Sequence, residues 1–227
     1  MDLEKRIREA VADALGVEKL KEAYVTKAKK FKLPTEFLSN KVKTARQKDF
    51  ESYVDALNET SARLDTASRE DANNNASEFR QLKVDEIYCL NASFLRAFHF
   101  ENISDLQSEL TMDSLSFMRL ERDFGSFDDW QKDFIACGMS SRDGYSVTVY
   151  NVYLGRYMNI VIDGESENVP VGCLPVICID VSEGAYFKDY LDDRKTYLVA
   201  MMKELNWEKI ETRIKKAEKA AKIYGAD

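Results

Sequence analysis

The sequence is short of the residues on which most metal and nucleophilic chemistry depends. One histidine, His99, occurs in 227 residues, so no site drawing several histidines from one subunit can form. A Ser-His-Asp set would need that one residue, and no neighbouring motif supports it. Nine glycines are widely spread, and none builds a phosphate-cradling loop. The four cysteines, Cys89, Cys137, Cys173 and Cys178, include no C-x-x-C pair. Those at 89, 173 and 178 lie in apolar runs and read as buried free thiols of a reducing compartment. The C-x4-C spacing in one strand is a weak metal signal. No apolar run is long enough to span a membrane. The start, Met1-Asp2-Leu3-Glu4-Lys5, lacks the apolar core of a secretory signal and carries too many acids for a mitochondrial presequence. The sequons at Asn58, Asn75 and Asn91 are therefore expected to stay unmodified.

What is present suits one large domain or two closely packed small ones. Apolar residues make up 44% of the chain, enough for a core. A net charge of −7 is not the footprint of a general nucleic-acid binder. The charge is uneven. Residues 26–48, with Lys27, Lys29, Lys30, Lys32, Lys41, Lys43, Arg46 and Lys48, carry a net +7, and residues 101–130 a net −6. Such polarity fits docking inside an assembly as well as it fits two solvated faces.

Leu3, Ile7, Val11 and Leu15 share one helical face, and Val17 to Lys30 reads as a second amphipathic helix. Phe31-Lys32-Leu33-Pro34 is a break. Long helices are expected over Leu38–Ala67 and Ser77–Phe98, joined by the polar stretch Ser68–Ala76, which makes an antiparallel hairpin. Shorter helices follow near Leu115–Phe124 and over Asp128–Cys137, the latter after a capping-box start at Ser126. The period then changes to two. Tyr145–Val152 and Arg156–Ile162 form a β-hairpin, and Cys173–Ile179 a third strand. Helices return over Glu183–Leu191, Arg194–Leu205 and Glu208–Ala221, with Asn206 as N-cap of the last. The tail Lys215–Lys219 reads as a solvated helix end. The class is α+β: extra N-terminal helices over 1–30, a long antiparallel helical hairpin over 31–100, then over 101–227 a three-stranded antiparallel sheet with flanking helices.

Several separated segments, in order, resemble the iron/manganese superoxide dismutase family over roughly residues 31–217. Asp180-Val181-Ser182-Glu183-Gly184-Ala185-Tyr186 stands where that family reads Asp-x-Trp-Glu-His-Ala-Tyr. Asp123-Phe124-Gly125-Ser126-Phe127 matches a further segment, and so do Tyr190-Leu191, Tyr197-Leu198 and Asn206-Trp207-Glu208. The resemblance implies one metal ion held by three histidines and an aspartate. Counting back from Tyr53, the first ligand position falls on Ala45. In Asn91-Ala92-Ser93-Phe94-Leu95-Arg96 the second is Ala92, and a tryptophan is replaced by Arg96. The third is Gly184, and only Asp180 is kept. The implied dimer contacts are also changed: Glu183 is kept without its histidine partner, and a cross-subunit tyrosine–histidine pair maps to Phe187 and Asp49.

The expectation is therefore no cofactor, no dismutase activity, and a structural or docking subunit of a large particle. A phage virion protein is the first reading, in the virion or host cytoplasm. A small-subunit protein of the mitochondrial ribosome is an alternative, and a metalloenzyme rebuilt around Asp180 is another. Partners would be other protein subunits, with a homodimer through the dismutase-type surface as a further option and nucleic-acid contact not favoured. The interface candidates are Asp49, Glu183, Phe187 and the basic residues Lys27, Lys29, Lys30, Lys32, Lys41, Lys43 and Arg46. On the residues alone, Asp180 is a helix cap or an acid–base partner of Glu183, with the cap preferred. His99 is expected to be packed or capping. Tyr53, Tyr186 and Arg96 are expected to fill the volume left by the missing ligand side chains.

Overall fold

The computed structural model describes residues 26–103 and 108–224. Two long helices, α1 (Asn40–Thr66) and α2 (Glu78–Asn102), form the antiparallel hairpin. Then come α3 (Leu115–Phe124), α4 (Phe127–Ser140), β1 (Gly144–Asn151), β2 (Arg156–Asp163), β3 (Cys173–Asp180), α5 (Glu183–Tyr190), α6 (Arg194–Lys203) and α7 (Trp207–Tyr224). The expected α+β order is the observed one. The expected helix over 2–15 lies outside the described residues. Of the one over Val17–Lys30, only residues 26–30 are described, and these are irregular rather than helical.

Polar caps start most helices. Ser39, Ser77, Ser114, Ser126 and Asp193 each accept a backbone N–H from the first turn of the helix that follows, and Asn206 does the same for α7 through the Lys209 amide at 2.9 Å, satisfying donors that have no intrahelical partner. At α5 the N-cap is Ser182, whose side chain makes no cap bond; this exception matters below. Gly125 ends α3 at φ +91°, a conformation natural to glycine.

The sheet has the order β2-β1-β3, antiparallel throughout. Central β1 is buried on both faces. Tyr145, Val147 and Val149 face Leu95 of α2 in one apolar cluster. The alternate residues Ser146 and Thr148 face α4, and both hydroxyls are bonded: Ser146 donates to the Phe134 carbonyl at 2.7 Å, and Thr148 accepts from the Trp130 indole at 3.0 Å. Buried hydroxyls need such partners. The largest core cluster joins β3 to α3 through α7 around Trp130, Ile177, Ile179, Tyr197 and Leu198. A separate cluster, Phe50, Val54 and Phe100 with Phe31 and Leu33 against it, holds the hairpin and the chain leading into it.

Of the expected solvated end at Lys215–Lys219, the three lysines are exposed, but Ala217 and Glu218 turn inward. Glu218 takes two bonds from Arg119, at 2.6 and 3.2 Å, and one from the Tyr157 hydroxyl at 3.2 Å, while Ala217 is buried. That turn is clamped between α3 and β2.

Candidate functional site

Where the hairpin meets β3 and α5, four ionised side chains are buried together: Arg46 of α1, Arg96 of α2, Glu165 of the β2–β3 loop, and Asp180 at the end of β3. Asp180 is fully enclosed. Its Oδ2 accepts from the Arg46 guanidinium. Its Oδ1 accepts from the Ser182 amide at 3.0 Å and the Ser182 hydroxyl at 2.6 Å. Its carbonyl accepts from the Tyr197 hydroxyl at 2.7 Å. The other arm of Arg46 reaches Asp49 Oδ2 at 3.2 Å. Arg96 pairs with Glu165 at 2.6 Å and lies over the Tyr53 ring, 4.4 Å from its centre. Tyr145 donates to the second Glu165 oxygen at 3.0 Å.

Two positive and two negative groups thus balance inside the fold, as buried charges must. Burial pushes the Asp180 carboxyl up, but the Arg46 and Arg96 guanidiniums outweigh it and hold the group down at about 2. Burial pushes the Glu165 carboxyl up against the pull of Arg96, and here burial wins. His99 is buried between α2 and β3, and its Nδ1 accepts from the Asp180 amide at 3.4 Å. Desolvation, only partly offset by Asp180, lowers it to about 4, so at neutral pH it is an uncharged packed histidine, as expected.

The capping role expected of Asp180 needs correcting. Its carboxylate holds Ser182, the residue before α5, rather than a first-turn amide. The first amide of α5, that of Glu183, donates instead to Asp143 Oδ1 at 3.1 Å. Asp180 and Glu183 do not act as a pair, because Asp180 is buried and Glu183 is exposed.

Arg46, expected on an interface, is a core residue only 6% exposed. Lys27, Lys29, Lys30, Lys32 and Lys41 are exposed and Lys43 is half-buried. Lys29 is bonded to Glu101 at 3.0 Å. Glu183 and Phe187 are exposed on α5, Phe187 by half, and Asp49 is half-buried. Of the groups expected to fill the vacated ligand space, Arg96 joins the buried cluster with the Tyr53 ring against it, and Tyr186 is stacked on Tyr197 at 5.5 Å. Beside Gly184 the space is taken by Arg46. A Cβ added to Gly184 would lie 2.7 Å from its Nη1. Sequence reading missed Arg46, Glu165, Tyr145 and Asp143. Arg46 carried a signal, because it falls on the buried face between Val42 and Phe50, four residues from each.

The residues present do not fit the metal ion that the resemblance implies. Ala45 is half-buried and ends at a methyl group, as does fully buried Ala92, and Gly184 has no side chain. The His99 Nδ1 lone pair is directed at a backbone amide. Both Asp180 oxygens are taken, one of them by a permanent cation. Among the described residues no group of three or more His, Cys, Asp or Glu side chains could hold a metal ion. A redox-active iron or manganese site needs several fixed N/O donors, and a second cation beside Asp180 would face Arg46 in a medium that screens poorly.

Comparison with known proteins fits this geometry onto a known scaffold. The profile described as "Iron/manganese superoxide dismutases, C-terminal domain" matches residues 114–213, from α3 to α7. "Superoxide dismutase [Fe]" of Aquifex pyrophilus is 30% identical over 174 residues, covering 75% of this chain and 81% of that protein. "Superoxide dismutase [Fe]" of Aquifex aeolicus (strain VF5) is 29% identical over 174 residues, with the same coverage. "Superoxide dismutase [Mn] 2" of Halobacterium salinarum is 29% identical over 162 residues, covering 70% of this chain and 78% of that protein.

Proposed function

Since the chain belongs to the iron/manganese superoxide dismutase family, and a guanidinium stands on its one remaining ligand-type carboxylate, we propose that it is a non-catalytic member of that family, working as a docking subunit of a larger assembly. The observation that carries this reading is the Arg46–Asp180 pair, with Arg46 set against Gly184. A fixed organic cation there supplies the positive charge that a buried carboxylate needs, without redox chemistry and without an open coordination position. The scaffold is then free to be used for its surface.

The net charge of −7 favours protein partners over nucleic acid. The exposed lysines of the segment entering the hairpin and the exposed Phe187 on α5 supply a basic and an apolar contact surface. Among assemblies we favour a virion, and an RNA-rich ribosomal particle is the competing placement. The test has two arms. Elemental analysis and a superoxide-dismutation assay on the purified full chain should find far less than one iron or manganese per chain and no activity. Stoichiometric metal together with activity overturns the non-catalytic reading. Co-sedimentation with capsids, rather than with ribosomal subunits, is the result expected for the placement.

A further inference from the structure

We propose that the outer face of α2, along Val84, Ile87, Leu90 and Phe94, is a docking surface for the chain's own amphipathic stretch, residues 2–15. These four side chains are 49, 49, 43 and 49% exposed. Single exposed apolar residues are ordinary, but here Ile87, Leu90 and Phe94 follow one another at helical spacing, and Val84 leads into them. They make a continuous apolar row on a helix whose opposite face is buried, and such a row marks a contact surface. At its start, Val84 and Ile87 also line an apolar cleft of about 510 Å³ beside Phe79.

The occupant follows from where the described chain begins. Thr26 is pinned to α1 by two bonds with the Asn58 side chain, both 2.8 Å. From there the chain runs down the outer groove of the hairpin. The Phe31 ring meets Phe50 and Phe100 at 5.6 and 5.2 Å, and Lys29 reaches Glu101. Glu101 lies seven residues beyond Phe94, on the same helical face. The entering segment and the apolar row therefore share one side of the hairpin. Tyr53 and Tyr88 meet at 6.0 Å between the two helices, on the side of the buried cluster, and so set which turns lie level. Because the helices are antiparallel, Asn58, and Thr26 with it, lies level with the beginning of the row.

Twenty-five residues precede Thr26. Among them Leu3, Ile7, Val11 and Leu15 repeat every four residues, the sequence pattern of a single apolar face. At helical rise the spacing from Leu3 to Leu15 corresponds to ~18 Å, against ~15 Å from Val84 to Phe94. The link from Leu15 to Thr26 can span ~35 Å, more than enough to bring the two faces together.

Hydrogen exchange on the full chain tests this, using Ile7→Asp on one face and Leu90→Asp on the other. Leu90 is exposed, so its variant should fold, and unchanged protection of the β1–β3 amides verifies that it has. In the unsubstituted chain, amides of residues 3–15 should exchange at least tenfold slower than in a free peptide of that sequence. Each substitution should abolish that slowing. Free-peptide exchange in the unsubstituted chain overturns the proposal, as does slowing that survives Leu90→Asp. Slowing that appears only at concentrations where sedimentation shows a dimer also overturns it, because a second copy would then be the occupant.

Discussion

A buried arginine is tolerable only while its partner is present. Arg46 and Asp180 were both withdrawn from water when the chain folded, and their attraction offsets that desolvation only as a pair. Arg46→Ala leaves an enclosed carboxylate with Ser182 as its remaining donor, so a loss of about 3–5 kcal/mol in urea unfolding is expected. Adding Asp180→Asn to that variant should recover part of the loss, because the orphaned charge is gone. A single-variant loss below about 1 kcal/mol, the size of a surface pair, would show that the contact is not a buried ion pair at all. This cluster was half legible in the sequence. Arg46 sits four residues from Val42 and from Phe50, and Arg96 sits four from Ala92 and from Phe100. A long cation on a buried helical face predicts a buried acid to meet it. Asp180 was readable as such an acid, at the end of an apolar run. Glu165 was not, because a loop carries no period and nothing local shows that it turns inward.

Elements were more legible than contacts, because caps and periods are written locally. Ser126, Asn206 and the change to period two before Tyr145 placed helix starts and strands within a residue or two. Contacts made across the fold were not written there. Arg194 is one example: its guanidinium donates to the carbonyls of Gly138, Ser141 and Arg142 and to the Tyr186 hydroxyl. It closes the end of α4 from a helix more than fifty residues later. Gly144, which opens β1, is another. A Cβ there would lie 2.1 Å from the Ile162 carbonyl oxygen and 2.9 Å from that of Gly164. Both obstacles are backbone, fixed by the β1–β2 ladder and by the bond from the Gly164 amide to the Asp143 carbonyl. Gly144→Ala should therefore cost about 3 kcal/mol, the upper end for overpacking, read as a lowered thermal midpoint. Gly164→Ala has open space around its Cβ but a φ of +57°, and should cost less, about 1 kcal/mol. Equal losses would mean that strand pairing does not set the constraint at Gly144.

At the scale of the whole molecule, the charged cluster and His99 lie along the boundary between the hairpin and the sheet, so pH acts on that boundary. His99 titrates at about 4 in the fold and near 6.5 in an unfolded chain. Between those values the unfolded chain binds the extra proton, so stability falls as pH falls through this window, by about 3 kcal/mol in all. Asp180 acts lower: its contribution is full above the unfolded carboxylate value and is lost only as pH drops toward about 2. Glu165 has the opposite sign, because burial raises its carboxyl and the folded state takes up that proton first. His99 is the chain's one histidine, so His99→Gln isolates its share. Between pH 7 and pH 4.5 the unsubstituted chain should lose stability relative to His99→Gln. After correction for intrinsic rates, hydrogen exchange at pH 4.5 should show α1 and α2 losing protection before β1 and β3, whose mutual ladder lies on the far side of the boundary. A His99→Gln chain with an unchanged pH slope would mean that the imidazole is not buried in its neutral form, and equal loss of protection in hairpin and sheet would mean that the two halves open together.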